Sequence, residues 1–136
     1  MGMVSFPAIL EDLDNMIGFI IDSSRDQGLD DSKLSKIKLA SEEILVNIIN
    51  YAYPDSKGDI SINCEPLQGE RKGISIEIRD SGVEFNILEK TDPDTTLPME
   101  DRPIGGLGVF LVKQAMDEVE YLREKSQNVV KMVKYS

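Results

Sequence analysis

The sequence predicts an α+β fold, in which helices pack on one face of a largely antiparallel sheet. Apolar residues recur at helical spacing in three segments of the 136-residue chain, and they alternate with polar residues in several shorter segments. These segments follow the order of two helices, two strands, a long loop, a third helix and two strands. The length suits one compact domain over residues 1–136, and the second face of its sheet is expected to be partly solvated or covered by a partner.

The first helix is expected to follow a short strand at residues 4–6 and to end at Gly28, because glycine commonly follows a last helical turn. The second helix should begin near Asp31 or Ser32, either of which can cap its first turn, and Pro54 stops it. The apolar faces are Ile9, Leu13, Met16, Ile17, Ile20 and Ile21 in the first helix, and Leu34, Ile37, Ala40, Ile44, Leu45, Ile48 and Ala52 in the second.

Four further strands are predicted from the alternation of apolar and polar side chains. The first two are joined by a hairpin connection at residues 66–73, and the second of them ends at Asp80. The last two cover residues 119–123 and 129–135. Apolar positions on the first two strands are Ile60, Ile62 and Cys64, and then Ile74, Ile76 and Ile78.

A polar stretch that contains three prolines separates Asp80 from the third helix, which opens at Gly105 or Gly106. A structureless segment of that length inside a compact domain is usually functional and often closes over a ligand. We therefore predict a lid at about residues 86–104.

Composition excludes several classes of function. Twenty-five acidic against fifteen basic residues give a formal charge of −10, and no basic stripe is available to bind a nucleic acid. The absence of histidine excludes Ser-His-Asp and Cys-His mechanisms. No apolar run is long enough to span a membrane and no signal peptide is recognisable, so a cytoplasmic protein is expected. The single cysteine, Cys64, is expected to be a buried structural thiol.

Glu43, Asn47 and Tyr51 form the first of three candidate functional groups. Their spacing of four residues places them on one face of the second helix, away from Ile44 and Ile48. A carboxylate and a carboxamide one turn apart supply a base and a hard oxygen ligand of the kind that Mg²⁺ prefers. Taken alone, the same pattern also fits a solvated helix face.

The second group, Asp80-Ser81-Gly82, lies where an apolar strand ends. A carboxylate at that point can accept hydrogen bonds from a ligand amine, and the glycine after it permits the close approach of a ring. Taken alone, these three residues also fit an ordinary turn.

The third group is the glycine-rich entry to the third helix, Gly105-Gly106-Leu107-Gly108, with Lys113 further along it. Backbone N–H groups at the start of a helix can point at phosphate oxygens, and the helix dipole stabilises an anion there by about 0.3–2 kcal/mol. The segment is neither a Walker A loop nor a complete dinucleotide fingerprint, and alone it also fits a flexible hinge.

Together and in this order, the three groups resemble the Bergerat-fold ATPases, the superfamily of gyrase, histidine kinases and mismatch-repair ATPases. More closely, they resemble the anti-sigma-factor serine kinases of bacterial partner-switching systems. Residues 41–47, Ser-Glu-Glu-Ile-Leu-Val-Asn, are similar to that family's N box. Asp80-Ser81-Gly82 with Phe85 resembles the first glycine box, and Gly106-Leu107-Gly108 resembles the second. The resemblance covers about residues 8–135 and implies a Bergerat-type ATP-binding two-layer sandwich.

The resemblance implies a role for each matching residue. Glu43 would be the general base that takes the proton from an attacking hydroxyl, and Asn47 would coordinate the Mg²⁺ that bridges the phosphates of ATP. Asp80 would accept a hydrogen bond from the adenine amine, and Gly82 would admit the base. The phosphates would contact Gly105, Gly106, Leu107 and Gly108, and by position also Arg102 and Lys113, which fit surface charges equally well.

The implied function is an ATP- and Mg²⁺-dependent kinase that phosphorylates a serine of a small anti-anti-sigma partner of the STAS type. Such a kinase also sequesters a sigma factor or another regulator. Members of the family often form homodimers, which an exposed sheet face would suit. Two alternatives stay open, namely a non-catalytic module that binds nucleotide, or nothing, and docks a partner, and a simple ATP hydrolase.

Three departures from the family pattern affect catalysis more than ATP binding. Many members carry histidine at the position of Tyr51. The last strand of the family often has a threonine-rich stretch near the nucleotide, whereas this chain has Asn128-Val129-Val130 and lacks that hydroxyl. Glu84 stands where the first glycine box often has a second glycine.

Overall fold

The computed structural model of the protein describes residues 2–54, 56–89 and 106–136. The strands are β1 (Gly2–Pro7), β2 (Asp59–Pro66), β3 (Gly73–Asp80), β4 (Glu118–Glu124) and β5 (Gln127–Tyr135). The α-helices are α1 (Leu13–Asp26), α2 (Asp31–Tyr51) and α3 (Gly106–Ala115), and short 3-10 turns lie at Leu10–Asp12 and Ile87–Glu89. Residues 90–104 of the predicted lid lie outside the described residues.

The five strands form one sheet in the order β1-β2-β3-β5-β4, and every neighbouring pair is antiparallel. The predicted antiparallel sheet is therefore confirmed. Strand β5 pairs with β3 although α3 and β4 lie between them along the chain. This pairing places the end of β3 beside the start of β5, and Asp80 lies opposite Asn128 in the register.

One face of the sheet forms half of the hydrophobic core, because alternate side chains of a strand point to the same face. The helices pack against this face and supply the other half, which confirms the predicted two layers. The buried core positions on β2, β3 and β5 are Ile60, Ile62, Cys64, Ile74, Ile76, Ile78, Val130 and Met132. The fully buried helical positions include Met16, Ile20, Ile37, Ile44, Leu45 and Val112.

The second face of the sheet carries mostly polar side chains, although the buried Val129 also lies on it. Arg79 on β3 forms ion pairs with Glu77 and with Glu124 on β4, each with a nitrogen-to-oxygen distance of 3.0 Å. Lys131 on β5 approaches the same Glu77 carboxylate at 3.9 Å. These groups stay partly exposed, so the ion pairs contribute little to stability and keep this face hydrated.

The predicted start of α2 near Asp31 is confirmed, but its predicted N-cap and the predicted start of the first helix were wrong. The N-cap of α2 is Asp30, whose Oδ1 accepts from the Lys33 N–H at 3.0 Å, because Asp30 still has extended backbone angles while Asp31 is already helical. Ile9 was counted in the first helix, but it precedes the 3-10 turn and is 43% exposed. Gly28 has a φ of +83° and follows the end of α1, as predicted.

Two predictions from composition can be compared with the structure. Cys64 is buried, as expected, and burial raises the pKa of its thiol to about 11. Within the described parts of the chain, no helix combines the length and the apolar character that a membrane span requires.

Candidate functional site

Asn47 occupies the last third of α2 with its side chain only 4% exposed. Its Nδ2 donates a hydrogen bond of 2.7 Å to the backbone carbonyl of Glu43, one helical turn earlier. This bond fixes the orientation of the amide through one of its two N–H groups, and the side-chain carbonyl is the part of the amide that can accept from, or coordinate, a ligand.

A small cavity brings Asn47 together with Asp80. Its volume is about 20 Å³, which is room for one water molecule. Asn47 was predicted to lie on a helix face away from Ile44 and Ile48. This was wrong, because all three residues line the same cavity. Asn47 and Ile44 are three residues apart, and side chains at that spacing on a helix differ by only about 60° in direction. The residues that line the cavity are Ile44, Asn47, Ile48, Ala52, Asp80, Phe85, Ile87, Asn128 and Val130.

Asp80 ends β3 on the core face of the sheet and is 4% exposed. Its Oδ1 accepts two hydrogen bonds of 2.9 Å, one from the Gly82 N–H and one from Nδ2 of Asn128. Among the described residues, no hydrogen bond reaches Oδ2. Burial raises the pKa of the Asp80 carboxyl, and the two hydrogen bonds and the charge of Arg123 oppose that rise. Asp80 therefore lines the cavity with a carboxylate of which only Oδ1 has hydrogen-bond partners among the described residues.

The end of α2 holds one side of the turn that follows Asp80. The Tyr53 hydroxyl accepts from the Ser81 N–H at 2.8 Å, and the Ala52 carbonyl accepts from the Val83 N–H at 2.9 Å. A Cβ atom on Gly82 would lie 2.1 Å from the Ala52 carbonyl oxygen, so only glycine fits this contact. This packing requires glycine at position 82, independently of the predicted role of Gly82 in leaving room for the adenine ring.

Asn128 holds the other side of the turn and is itself buried. Its Nδ2 donates to Asp80 and also to the Val83 carbonyl, at 2.9 Å and 2.7 Å. Arg123 on β4 reinforces the turn by donating to the Gly82 carbonyl at 3.0 Å. Oδ1 of Asn128 accepts from the Phe85 N–H at 3.2 Å, the Tyr121 hydroxyl at 2.5 Å and the Arg123 guanidinium at 3.2 Å.

Sequence reasoning did not assign Asn128 or Tyr53 to the site. For Asn128 a signal was present, because it shares the core-face register with Val130 and Met132, where an asparagine has to find buried partners. For Tyr53 no local signal existed, because its partner Ser81 is 28 residues away along the chain.

Glu43 is half-buried one turn before Asn47. Among the described residues, no hydrogen bond or ion pair to its carboxylate is found. The ring of Tyr51 packs on Phe85 with a centroid distance of 6.0 Å. The predicted helix face is therefore covered near its C-terminal end, and the interpretation of a fully solvated face does not fit.

The glycine-rich segment begins α3, whose first residues are Gly106, Leu107 and Gly108. Gly105 and Arg102 lie outside the described residues. Lys113 is exposed in the last turn of α3, seven residues and about 10 Å along the axis from Gly106, so its role as a phosphate contact stays a prediction. The C-terminal end of α3 is fixed by the buried Lys134, whose Nζ donates to the Ala115 carbonyl at 2.7 Å.

Comparisons with known proteins identify the family of the domain. The family model of the histidine kinase-like ATPase domain matches residues 6–134. A serine-protein kinase RsbW of Bacillus thuringiensis strain Al Hakam is 30% identical over 125 residues, which are 89% of this chain and 69% of the relative. The protein of the same name from Bacillus mycoides strain KBAB4 is 31% identical over the same shares of each chain.

A solved structure extends the comparison to the fold. The mycobacterial sensor histidine kinase MprB superposes with a TM-score of 0.51 at 16% identity, over 97% of each chain. At that identity the likeness concerns the fold alone. It confirms, with the family match, the Bergerat-type sandwich that the motifs predicted.

Proposed function

The chain belongs to the histidine kinase-like ATPase domain family, and we propose that it uses ATP with Mg²⁺ to phosphorylate a serine of a partner protein. The observation that carries this proposal is the cavity lined by both Asn47 and Asp80, with Glu43 one turn away on the same helix. Asp80 supplies an acceptor for the amine of adenine, Asn47 supplies an oxygen ligand for a metal, and Glu43 supplies a carboxylate that can act as a general base.

Asp80 is proposed to recognise adenine. An ionised carboxylate can only accept hydrogen bonds, so its Oδ2 suits the exocyclic amine of adenine and disfavours guanine, which has a carbonyl at that position. Because Oδ1 is already engaged by Gly82 and Asn128, Oδ2 is the oxygen that remains for the base.

A purine does not fit the cavity at its present volume of about 20 Å³. Two residues of the segment 85–87 line it, namely Phe85, just before the predicted lid at residues 86–104, and Ile87, within that lid. We propose that this segment moves outward when the nucleotide binds, while the turn at Ser81–Val83 keeps its hydrogen bonds to α2 and β5.

Asn47 fits the role of a magnesium ligand, because the bond from its amide nitrogen to the Glu43 carbonyl orients the amide and its side-chain oxygen is a hard ligand. When bound, Mg²⁺ would neutralise charge that develops on the phosphates during transfer. The first turn of α3, with Gly106, Leu107 and Gly108, would offer backbone N–H groups to the same phosphates. Gly105, Arg102 and Lys113 stay predictions for further phosphate contacts.

Glu43 is proposed as the general base. Its carboxylate is half-buried and has no partner among the described residues, so it can accept the proton of a serine hydroxyl that enters beside the phosphates. A positioned base of this kind contributes about 10²–10⁴-fold to a rate.

The substrate is proposed to be a small partner of the anti-anti-sigma, STAS type, and a sigma factor or another regulator is proposed as the second partner. The support is the likeness to relatives named serine-protein kinase, each covered over 69% of its length. Homodimer formation through the polar face of the sheet stays a prediction.

Phosphotransfer from labelled ATP tests this proposal. The wild-type chain, incubated with Mg²⁺ and a candidate STAS-type partner, should label one serine of that partner, and replacing that serine by alanine should abolish the label. Glu43→Gln should slow transfer by about 10²–10⁴-fold while ATP binding and partner docking persist. Glu42→Gln is the matched control, because Glu42 is the exposed neighbour of Glu43 and should keep the wild-type rate.

Three results would separate the proposal from its alternatives. A wild-type rate in Glu43→Gln would exclude Glu43 as the base. ATP binding and docking without transfer to any partner would indicate a docking module. Phosphate release at an unchanged rate without partner would indicate a simple ATP hydrolase.

A further inference from the structure

Building on the proposed ATP site, we infer that Asn128 is the positioning residue that sets the preference for adenine over guanine. It does so by engaging Oδ1 of Asp80, which leaves Oδ2 as the oxygen that meets the base. Asn128 was expected only to lack a hydroxyl that the family often has, whereas its buried amide forms hydrogen bonds with five neighbouring residues.

The orientation of the Asn128 amide is dictated by its surroundings. On the Nδ2 side lie two acceptors, Oδ1 of Asp80 and the carbonyl of Val83. On the Oδ1 side lie three donors, from Phe85, Tyr121 and Arg123. A flipped amide would face donors with its own N–H groups and acceptors with its oxygen, so the donation to Asp80 follows from the cluster itself.

Donation by Asn128 favours the charged form of Asp80. Burial raises the pKa of this carboxyl, and the hydrogen bond from Asn128 is the largest effect that opposes the rise, followed by the Gly82 N–H and the charge of Arg123. The other titratable groups close to it are the phenols of Tyr53, after α2, and Tyr121, on β4.

The charge of Asp80 decides which purine it accepts. As an ionised carboxylate it receives the adenine amine, whereas a protonated carboxyl can donate to the carbonyl of guanine. Without the Asn128 donor, burial acts on Asp80 with less opposition and the protonated form gains population at a given pH. The chain should then lose discrimination between the two bases.

Calorimetric titration with Mg-ATP and with Mg-GTP tests this inference on three proteins. Asn128→Ala should lower the ratio of ATP affinity to GTP affinity by about tenfold. As the pH is lowered, this variant should also lose ATP binding at a higher pH than the wild type does. Tyr121→Phe is the matched control, because it removes one hydrogen bond to Oδ1 of Asn128 and leaves the bond between Asn128 and Asp80 in place. Its ratio should match the wild-type ratio within about twofold.

The outcomes distinguish the inference from the proposed function. If the wild type prefers ATP and folded Asn128→Ala keeps the same ratio, or if Tyr121→Phe changes the ratio equally, the inference is overturned while the ATP site stands. Equal affinity of the wild type for both nucleotides would instead overturn the adenine site itself. If thermal unfolding shows that Asn128→Ala is not folded, Asn128→Leu, which is close to asparagine in size and also lacks a donor for Asp80, takes its place with the same expected loss.

Discussion

The carbonyl oxygen of Ala52 occupies the position next to Gly82 that a side chain would need, only 2.1 Å from where a Cβ atom would lie. The same carbonyl accepts from the Val83 N–H at 2.9 Å. The C-terminal end of α2 is thus packed backbone to backbone against the turn after Asp80. This contact ties the helix that carries Glu43 and Asn47 to the strand end that carries the proposed adenine acceptor.

Gly82→Ala should therefore damage both stability and ATP binding. The new methyl group meets backbone atoms that cannot rotate away, so the free energy of unfolding should fall by about 3 kcal/mol and ATP affinity should fall with it. Gly18→Ala in α1 is the control, because no atom lies within 4 Å of its new Cβ. Urea unfolding should show Gly18→Ala stabilised by about 0.5–1 kcal/mol, and equal stability of the two variants would contradict the packing account.

Tyr53→Phe should weaken ATP binding several-fold, because the Tyr53 hydroxyl is the acceptor for the Ser81 N–H and a donor to the Asp59 carbonyl at 2.7 Å. Stability should fall by about 1 kcal/mol, since water can replace part of these exposed bonds. Tyr135→Phe removes a hydroxyl that bonds Glu118 at the exposed end of the sheet, and it should leave ATP affinity unchanged. A calorimetric titration in which both variants bind like the wild type would disprove the positioning role of Tyr53.

Ser41→Ala should stabilise the protein by about 1 kcal/mol. Ser41 is fully buried in α2, and within the described residues its hydroxyl has no hydrogen-bond partner, so its removal relieves a desolvation cost. Ser24 provides the matched comparison, because it is equally buried but donates to the Ile20 carbonyl at 2.7 Å. Ser24→Ala should lower the free energy of unfolding by about 1 kcal/mol, and a loss of similar size in Ser41→Ala would show that its hydroxyl has a partner.

The stability of the folded protein should depend on Cys64 at alkaline pH. Burial raises the pKa of this thiol from its ordinary value of 9.0 to about 11, so the folded state holds the proton more tightly than the unfolded state. Its contribution to stability is complete below pH 9 and is lost as the pH rises through about 11. Urea unfolding should show that the free energy of unfolding falls more steeply between pH 9 and about 11 in the wild type than in Cys64→Ala. An equal fall in both proteins would contradict the raised pKa of Cys64.

Local pattern was enough to predict most of the fold. Ile60 and Ile62 on β2 and Ile74 and Ile76 on β3 alternate with polar neighbours because each strand buries only one face, and this periodicity is visible in the sequence. The N-cap of α2 was predicted as Asp31 or Ser32, whereas the backbone angles identify Asp30, because three consecutive residues that can all cap a helix cannot be told apart by residue type.

The candidate site could be predicted only in part. Asn47 and Asp80 are recognisable from motifs, but the register that sets Asp80 opposite Asn128 depends on the pairing of β3 with β5 across the intervening α3. The approach of Tyr53 to Ser81 depends likewise on how α2 packs. The contact of Tyr53 leaves no periodic trace in the sequence, and the core-face position of Asn128 indicates a buried polar partner without identifying it as Asp80.

Titration of the wild type and of Asp80→Asn with Mg-ATP and Mg-GTP tests the central claim most directly. The wild type should bind Mg-ATP at least about tenfold more tightly than Mg-GTP, because Oδ2 of Asp80 accepts from the adenine amine. Asp80→Asn presents an amide donor at that point, so it should lose this preference. Equal binding of both nucleotides by the wild type, or an unchanged preference in Asp80→Asn, would contradict the proposed site.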